Sequence, residues 1–195
     1  MSVKSYFNPE VIKTFKSKFN TNIQLVNFSG QLRLDMGNLT QSGQVIEKIW
    51  SKAFKNLINS SFKPKRVLIL GFGAGSVAKV IRKKWSKVKI TGVEIDPMVI
   101  KIAKEYFKVD EIPNLQIINK DAEVFIKETK KKFDLVLVDC YQGYKIPQIF
   151  ENKKFLTSLK KISEVVLINR LFWDNHKQKT IKFLGELNKS FTTST

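Results

Sequence analysis

The chain holds one cysteine, Cys140, and one histidine, His176, among its 195 residues. A single cysteine forms no internal disulfide, and with neither a second cysteine nor a metal-spaced histidine partner the sequence suggests no metal site. Cys140 reads as a small buried filler and not as a nucleophile, because no neighbouring histidine activates it. Nine glycines and five prolines are too few for a fibrous or low-complexity chain. No apolar run is long enough for a membrane span, and none follows Lys4 as a signal peptide would require. These absences lead to the expectation of a reducing, cytoplasmic location with no membrane contact. What is present is a core: 43% of the residues are hydrophobic, 15 of them Phe and three Trp. The length fits one main domain with an appendage.

Acidic residues are also scarce, 17 against 35 basic ones, for a formal charge of +18. Such a charge attracts polyanions and raises the option of a nucleic-acid-binding protein. Only Arg33, Arg66, Arg82 and Arg170 are arginines, however, and the planar guanidinium is the group that reads bases and phosphates in bidentate fashion. Lysines spread over every helical pattern describe a solvated surface, so nucleic acid is possible as a partner but not favoured.

From residue 66 onward, short runs dense in Val, Ile and Leu alternate with amphipathic stretches, the pattern of βαβ units on a parallel sheet. The runs are Arg66 to Leu70, Val88 to Val93, Leu115 to Asn119, Phe133 to Val138 and Val165 to Asn169. Helices are expected over Ser76 to Trp85, Pro97 to Phe107, Ala122 to Thr129, Lys153 to Ile162 and His176 to Ser190. Before them, a short helix is expected near Asn8 to Phe19. A hairpin of Ile23 to Phe28 and Gln31 to Asp35 turns at Ser29-Gly30, and a helix runs from about Gly43 to Ile58. The division expected is residues 1–60 as an N-terminal unit and 61–195 as the main domain.

The chemistry concentrates where these strands end. Val67-Leu-Ile-Leu-Gly71-Phe-Gly73-Ala-Gly75-Ser76 is a strand entering a glycine-rich turn and a helix, the arrangement in which backbone N–H groups meet a ligand at a helix N-terminus. Glu94 closes the second strand, the position from which an acid accepts hydrogen bonds from ribose hydroxyls. A dinucleotide fingerprint would place Gly or Ala at position 76, but Ser76 stands there and the third glycine falls one residue early. Asp121-Ala122 follows the third strand; Asp121 suits both a ligand amino group and a helix N-cap. Asp96 is as well placed to cap the next helix as to touch ligand. Asp139, Cys140, Tyr141 and Tyr144 follow the fourth strand, at the sheet edge where open α/β sheets bind ligands. Trp173 follows the fifth.

The Gly-x-Gly-x-Gly turn with its acidic strand end resembles the class I S-adenosylmethionine-dependent methyltransferases. The stretch from Asp139 to Pro147 and the Gln41-Ser42-Gly43 turn narrow the resemblance to the spermidine synthase-like branch, over about residues 20 to 185. That resemblance implies a Rossmann-like fold of strand order 3-2-1-4-5 and S-adenosylmethionine, or its decarboxylated form, as the cofactor. Gly71, Gly73 and Gly75 would hold the methionine end, Glu94 the ribose, and Asp121 with Ala122 the adenine. Gln41 is carried over as a cofactor-binding residue, and Asp139 with Tyr141 would orient or deprotonate the acceptor. Members of that branch continue into further strands past the fifth, so the sheet is expected to be shortened here, or covered by a second copy in a homodimer.

Three departures bear on the activity. Polyamine synthases carry an aspartate where this chain has Ala74, a second near Gln142, and a Tyr-His pair where Val45-Ile46-Glu47 stands here. Ammonium groups leaving water need carboxylates. The expected activity is therefore methyl transfer to an unknown small-molecule acceptor, with polyamine aminopropyl transfer as the alternative and a noncatalytic nucleoside- or nucleic-acid-binding protein as a third reading. Glu47 and Glu151 are candidates to restore an acidic pocket.

Overall fold

The computed structural model describes residues 8–37, 39–141, 146–172 and 174–188. Its first element overturns the expected N-terminal helix. Glu10–Phe15 is a strand, β1, laid antiparallel on β2 (Ile23–Phe28) from Glu10 opposite Asn27 to Phe15 opposite Ile23. Val11, Ile12 and Thr14 are β-branched and lose side-chain freedom in a helix, whereas the hairpin offers them a ladder. All but Phe15 are exposed, so β1 is held by its backbone bonds and carries no burial alternation in its sequence. β3 (Gln31–Met36) and a further strand, β4 (Leu39–Ser42), complete a four-stranded sheet in the order β1-β2-β3-β4.

Helix α1 (Gln44–Leu57) connects this sheet to the rest and buries Trp50 and Phe54. The two rings stack on a cluster that continues to Trp85 and Phe62, at centroid separations of 5.8, 5.4 and 6.3 Å along the series.

The second sheet is parallel, with strands β5 (Arg66–Leu70), β6 (Lys89–Glu94), β7 (Leu115–Asn119), β8 (Leu135–Val138) and β9 (Val165–Ile168) in the order β7-β6-β5-β8-β9, the expected 3-2-1-4-5. Side chains of β5 alternate between two cores. Val67 and Ile69 face the cluster that includes Ile23, Leu34, Trp50 and Phe54; Leu68 and Leu70 face Phe125, Phe155 and Leu159. Each such buried side chain contributes about 1.5–3 kcal/mol. The helices between strands are α2 (Ser76–Lys84), α3 (Pro97–Phe107), α4 (Ala122–Glu128) and α5 (Lys153–Ile162), with α6 (Asp174–Asn188) last.

Two details fix the sheet's ends. At the amino edge, the Arg82 guanidinium donates to the carbonyls of Trp85, Ser86, Val88 and Pro113, tying the end of α2 to the segments entering β6 and β7. At the carboxyl edge, the Phe72 ring lies across Gly92, so close that a Cβ on Gly92 would stand 2.2 Å from Phe72 Cδ2. The strand ends Gly71, Glu94, Asn119, Asp139 and Asn169 thereby share one rim.

Candidate active site

The glycine turn hangs from its neighbouring strand: the N–H groups of Gly71 and Phe72 both donate to the Val93 carbonyl, each at 3.0 Å. Gly71 has φ +82°, and a Cβ there would lie 2.4 Å from the Asp139 carbonyl oxygen. Only glycine allows β5 to turn while β8 ends this close. The turn is laced to the β4–α1 corner by two hydroxyls, Ser42 Oγ accepting from Ala74 N at 2.9 Å and Ser76 Oγ accepting from Gly43 N at 2.8 Å. That lacing brings Gln41 to the same cleft.

Glu94 sits half-buried beneath the turn. Its Oε2 accepts from Gly73 N at 2.9 Å and its Oε1 from Asp96 N at 3.1 Å. Burial raises its pKa, and those backbone donors partly oppose the shift. Asp96 is fully buried and caps α3 by accepting from Met98 N at 2.9 Å; its other oxygen takes the Ser17 hydroxyl and the Asn20 amide. The capping role expected as one option for Asp96 is therefore the one it performs, and it also clamps the β1–β2 connection over the cleft. Asp121 caps α4, accepting from Val124 N at 3.0 Å, while still lining the cleft.

Asp139 stands at the end of β8 with both carboxylate oxygens held. Trp50 Nε1 donates to its Oδ2 at 3.0 Å and Asn169 Nδ2 to its Oδ1 at 2.8 Å. Burial raises its pKa, and the Asn169 and Trp50 hydrogen bonds pull in the opposite direction. The Tyr141 hydroxyl donates to the Asn169 carbonyl at 2.8 Å, and burial together with the Asp139 charge pushes its pKa far up. The bond holds Tyr141 against the end of β9 on the cleft wall. Burial and the charges of Glu94, Asp139 and Asp121 push the Cys140 thiol well above its ordinary value, which leaves it unreactive.

Gln41, Gly71, Gly73, Glu94, Asp121, Ala122, Asp139 and Tyr141 all line one cleft. Gly75 does not: a Cβ on it would strike Val109 at 2.5 Å, so it serves the packing of α2. Gln142, Tyr144 and Trp173 lie outside the described residues. Trp50 and Asn169 are site residues that the sequence reading missed. Asn169 had a signal, since it ends β9 beside the end of β8; nothing in the spacing of α1 marks Trp50.

One cleft thus gathers the glycine turn and three carboxylates, Glu94, Asp121 and Asp139. The family model of the spermine/spermidine synthase domain matches residues 48–171, from just before Trp50 to just after Asn169. The chain belongs to that family. Among relatives of this spermine/spermidine synthase-domain protein, the polyamine aminopropyltransferase of Sulfurisphaera tokodaii is 34% identical over 150 residues, 73% of this chain and 49% of its own length. That of Vibrio vulnificus is 35% identical over 115 residues, 56% of this chain and 38% of its own. The chain thus spans half or less of these curated relatives. Spermidine synthase from Thermotoga maritima superposes with a TM-score of 0.73 at 18% identity, covering 93% of this chain and 64% of that one. Human methyltransferase-like protein 13, in complex with SAH, superposes with a TM-score of 0.62 at 21% identity, covering 76% of this chain and 74% of that one. Both confirm the Rossmann-like methyltransferase fold.

The family match corrects one expectation. Methyl transfer was placed ahead of aminopropyl transfer because Ala74 and Gln142 stand where polyamine synthases carry acids and Val45-Ile46-Glu47 where they carry a Tyr-His pair, yet the matching model and the two relatives are synthases and aminopropyltransferases. Three local departures weighed against the whole motif order were weak ground for that ranking. No described helix is long and apolar enough to cross a membrane.

Proposed function

We propose that the cleft is the transfer centre of a polyamine aminopropyltransferase-type enzyme, moving the aminopropyl group of decarboxylated S-adenosylmethionine to an amine. The observation that carries this reading is the Asp139 carboxylate, half-buried on the cleft wall and fixed on both oxygens by Trp50 and Asn169. The residues present fit a nucleoside: Glu94 offers carboxylate oxygens that can each accept one further hydrogen bond, and Gln41 Nε2 is a buried donor without a partner among the described residues.

The donor supplies a carbon already activated by its sulfonium. The protein's part is to position and to move one proton. Asp139, its basicity raised by burial, takes a proton from the acceptor ammonium and frees the nitrogen lone pair. As the N–C bond forms, the C–S electron pair returns to sulfur, leaving a neutral thioether nucleoside and a protonated secondary amine; Asp139 then releases its proton to solvent. Gly71, Gly73, Glu94, Asp121 and Ala122 hold the nucleoside in line with that carboxylate.

The test is methylthioadenosine release on incubation with decarboxylated S-adenosylmethionine and a panel of amines. Release dependent on an amine supports the reading. S-adenosylhomocysteine formation from intact S-adenosylmethionine, or binding of nucleoside without any release, overturns it.

A further inference from the structure

Lysines lie on every helix, but acids do not accompany them evenly. Between Glu47 and Glu94 stand 46 consecutive residues without one aspartate or glutamate, and they carry 12 of the chain's 35 basic residues. That stretch holds +12 of the formal +18, and the other 149 residues hold +6.

The fold gathers part of this stretch around one furrow. Helices α1 and α2 pack side by side, and toward their last turns they leave an open furrow of about 750 Å³. Its charged lining is Lys55, Lys83 and Lys84; Ser51, Asn56, Asn59 and Ser60 supply hydroxyls and amides, and no acid lines it. Lys48 and Lys52 are exposed on the same helix as Lys55, and exposed Lys63 and Lys65 follow on the segment that leaves the furrow at Ser60. Of the acids outside the stretch, Glu47 pairs with Lys83 at 3.3 Å, and Asp134 accepts from the backbone N–H groups of Lys65 and Arg66, each at 2.7 Å. Among the described residues neither Lys55 nor Lys84 has an ion-pair partner. Cations in the last turns of α1 and α2 also offset the negative ends of those helices. That role ends with the last turn and accounts neither for Lys48, Lys52, Lys63 and Lys65 nor for the missing acids.

Three ammonium groups between neutral polar walls suit a phosphate chain, because lysine meets phosphate as a point charge and reads no base. The axes of two packed helices lie about 8–10 Å apart, which leaves room between them for one strand and not for a duplex. The hydroxyls and amides suit the ribose 2′-hydroxyl, which DNA lacks. We infer that the furrow between α1 and α2 binds single-stranded RNA through its phosphates, without regard to base sequence and apart from the transfer cleft. α2 touches both places, and no residue lines both: Ser76 and Val77 face the cleft, whereas Val80, Lys83 and Lys84 line the furrow, with Lys84 about 12 Å along the helix from Ser76. The inference does not depend on the aminopropyl-transfer reading.

The test is fluorescence anisotropy of a labelled oligouridylate of about 12 nucleotides, titrated with the full chain between about 50 and 200 mM salt. Affinity should fall with salt on a log–log slope of about −2 or steeper, about −0.7 for each of the phosphates that the furrow lysines neutralise. Lys55→Glu with Lys84→Glu should weaken binding at least about tenfold and flatten that slope. Lys154→Glu with Lys179→Glu lowers the net charge by the same amount on other faces and should weaken binding less than about twofold. All four lysines are exposed, and Lys55→Gln with Lys84→Gln repeats the loss without introducing acids. Equal weakening by the two charge-reversed pairs reduces the binding to net charge and overturns the furrow as its site. Oligodeoxyuridylate or duplex RNA bound as tightly as oligouridylate overturns the choice of partner, as does displacement of the RNA by polyglutamate at matched charge. No binding at the lowest salt overturns the inference outright.

Discussion

The indole N–H of Trp50 reaches across 89 residues of sequence to donate to Asp139 Oδ2 at 3.0 Å. A donor on a carboxylate favours the charged form, so this bond lowers a pKa that burial has raised. Trp50→Phe keeps an aromatic ring beside Phe54 and removes the donor. The charged form then loses support, the Asp139 pKa rises further, and the acid limb of the kcat/KM profile moves to higher pH. A pH–rate profile for methylthioadenosine release checks this; an acid limb that stays in place refutes the coupling.

Asp139→Asn should lower turnover by at least about a hundredfold, the loss of a positioned base, while nucleoside affinity stays close to the parent's. Asn169 can accommodate the change by turning its amide so that its oxygen accepts from the new NH₂ group. The variant also reports on stability. A carboxylate whose folded pKa lies above its unfolded value contributes stability that is full below the unfolded pKa and is lost as pH rises through the folded one. Tm should therefore fall less in Asp139→Asn than in the parent as pH is raised from mildly acidic to neutral, as followed by thermal melts.

The sequence made the parallel sheet legible because its central strands β5 and β8 are buried on both faces, where Val, Ile and Leu crowd together; β5, β7 and α3 begin and end where expected. The N-terminal strand was not legible for the opposite reason. Most of its side chains meet solvent, so the ladder with β2 and the contacts of Lys13 and Phe15 with Tyr106 specify it, and those are tertiary facts. The site divided in the same way. Residues fixed by strand ends and the glycine turn were readable from spacing, whereas Trp50 comes from a helix whose rotation about its axis follows from packing on Phe54 and Trp85. Position in the motif also does not reveal that Gly75 turns its Cα toward Val109.

Glu94→Ala should weaken binding of methylthioadenosine by about 1–3 kcal/mol, the range for hydrogen bonds to a charged group. Two effects add: the carboxylate is lost to the ligand, and Gly73 N loses its 2.9 Å partner, loosening the turn. Calorimetric titration measures this directly, and an affinity equal to the parent's would displace the nucleoside from this cleft.

Two glycines with similar backbone angles should respond unequally to alanine. Gly30, at φ +77°, has nothing within 4 Å of a new Cβ, so Gly30→Ala costs about 1 kcal/mol of backbone strain and leaves ligand affinity unchanged. Gly71→Ala drives a methyl into the Asp139 carbonyl and should cost more than about 2 kcal/mol and abolish nucleoside binding. Denaturant melts and titration of the two variants side by side distinguish steric from conformational cost.

The contact of the Phe72 ring with Gly92 ties the identities of one position in the glycine turn and one on β6. Any side chain at 92 requires a smaller one at 72, and a smaller residue at 72 leaves a hole that a side chain at 92 can fill. Neither position can drift alone without a folding penalty, whereas a reciprocal exchange of bulk between them keeps the volume constant. Homologous chains should therefore show large-small and small-large pairs here in place of independent variation.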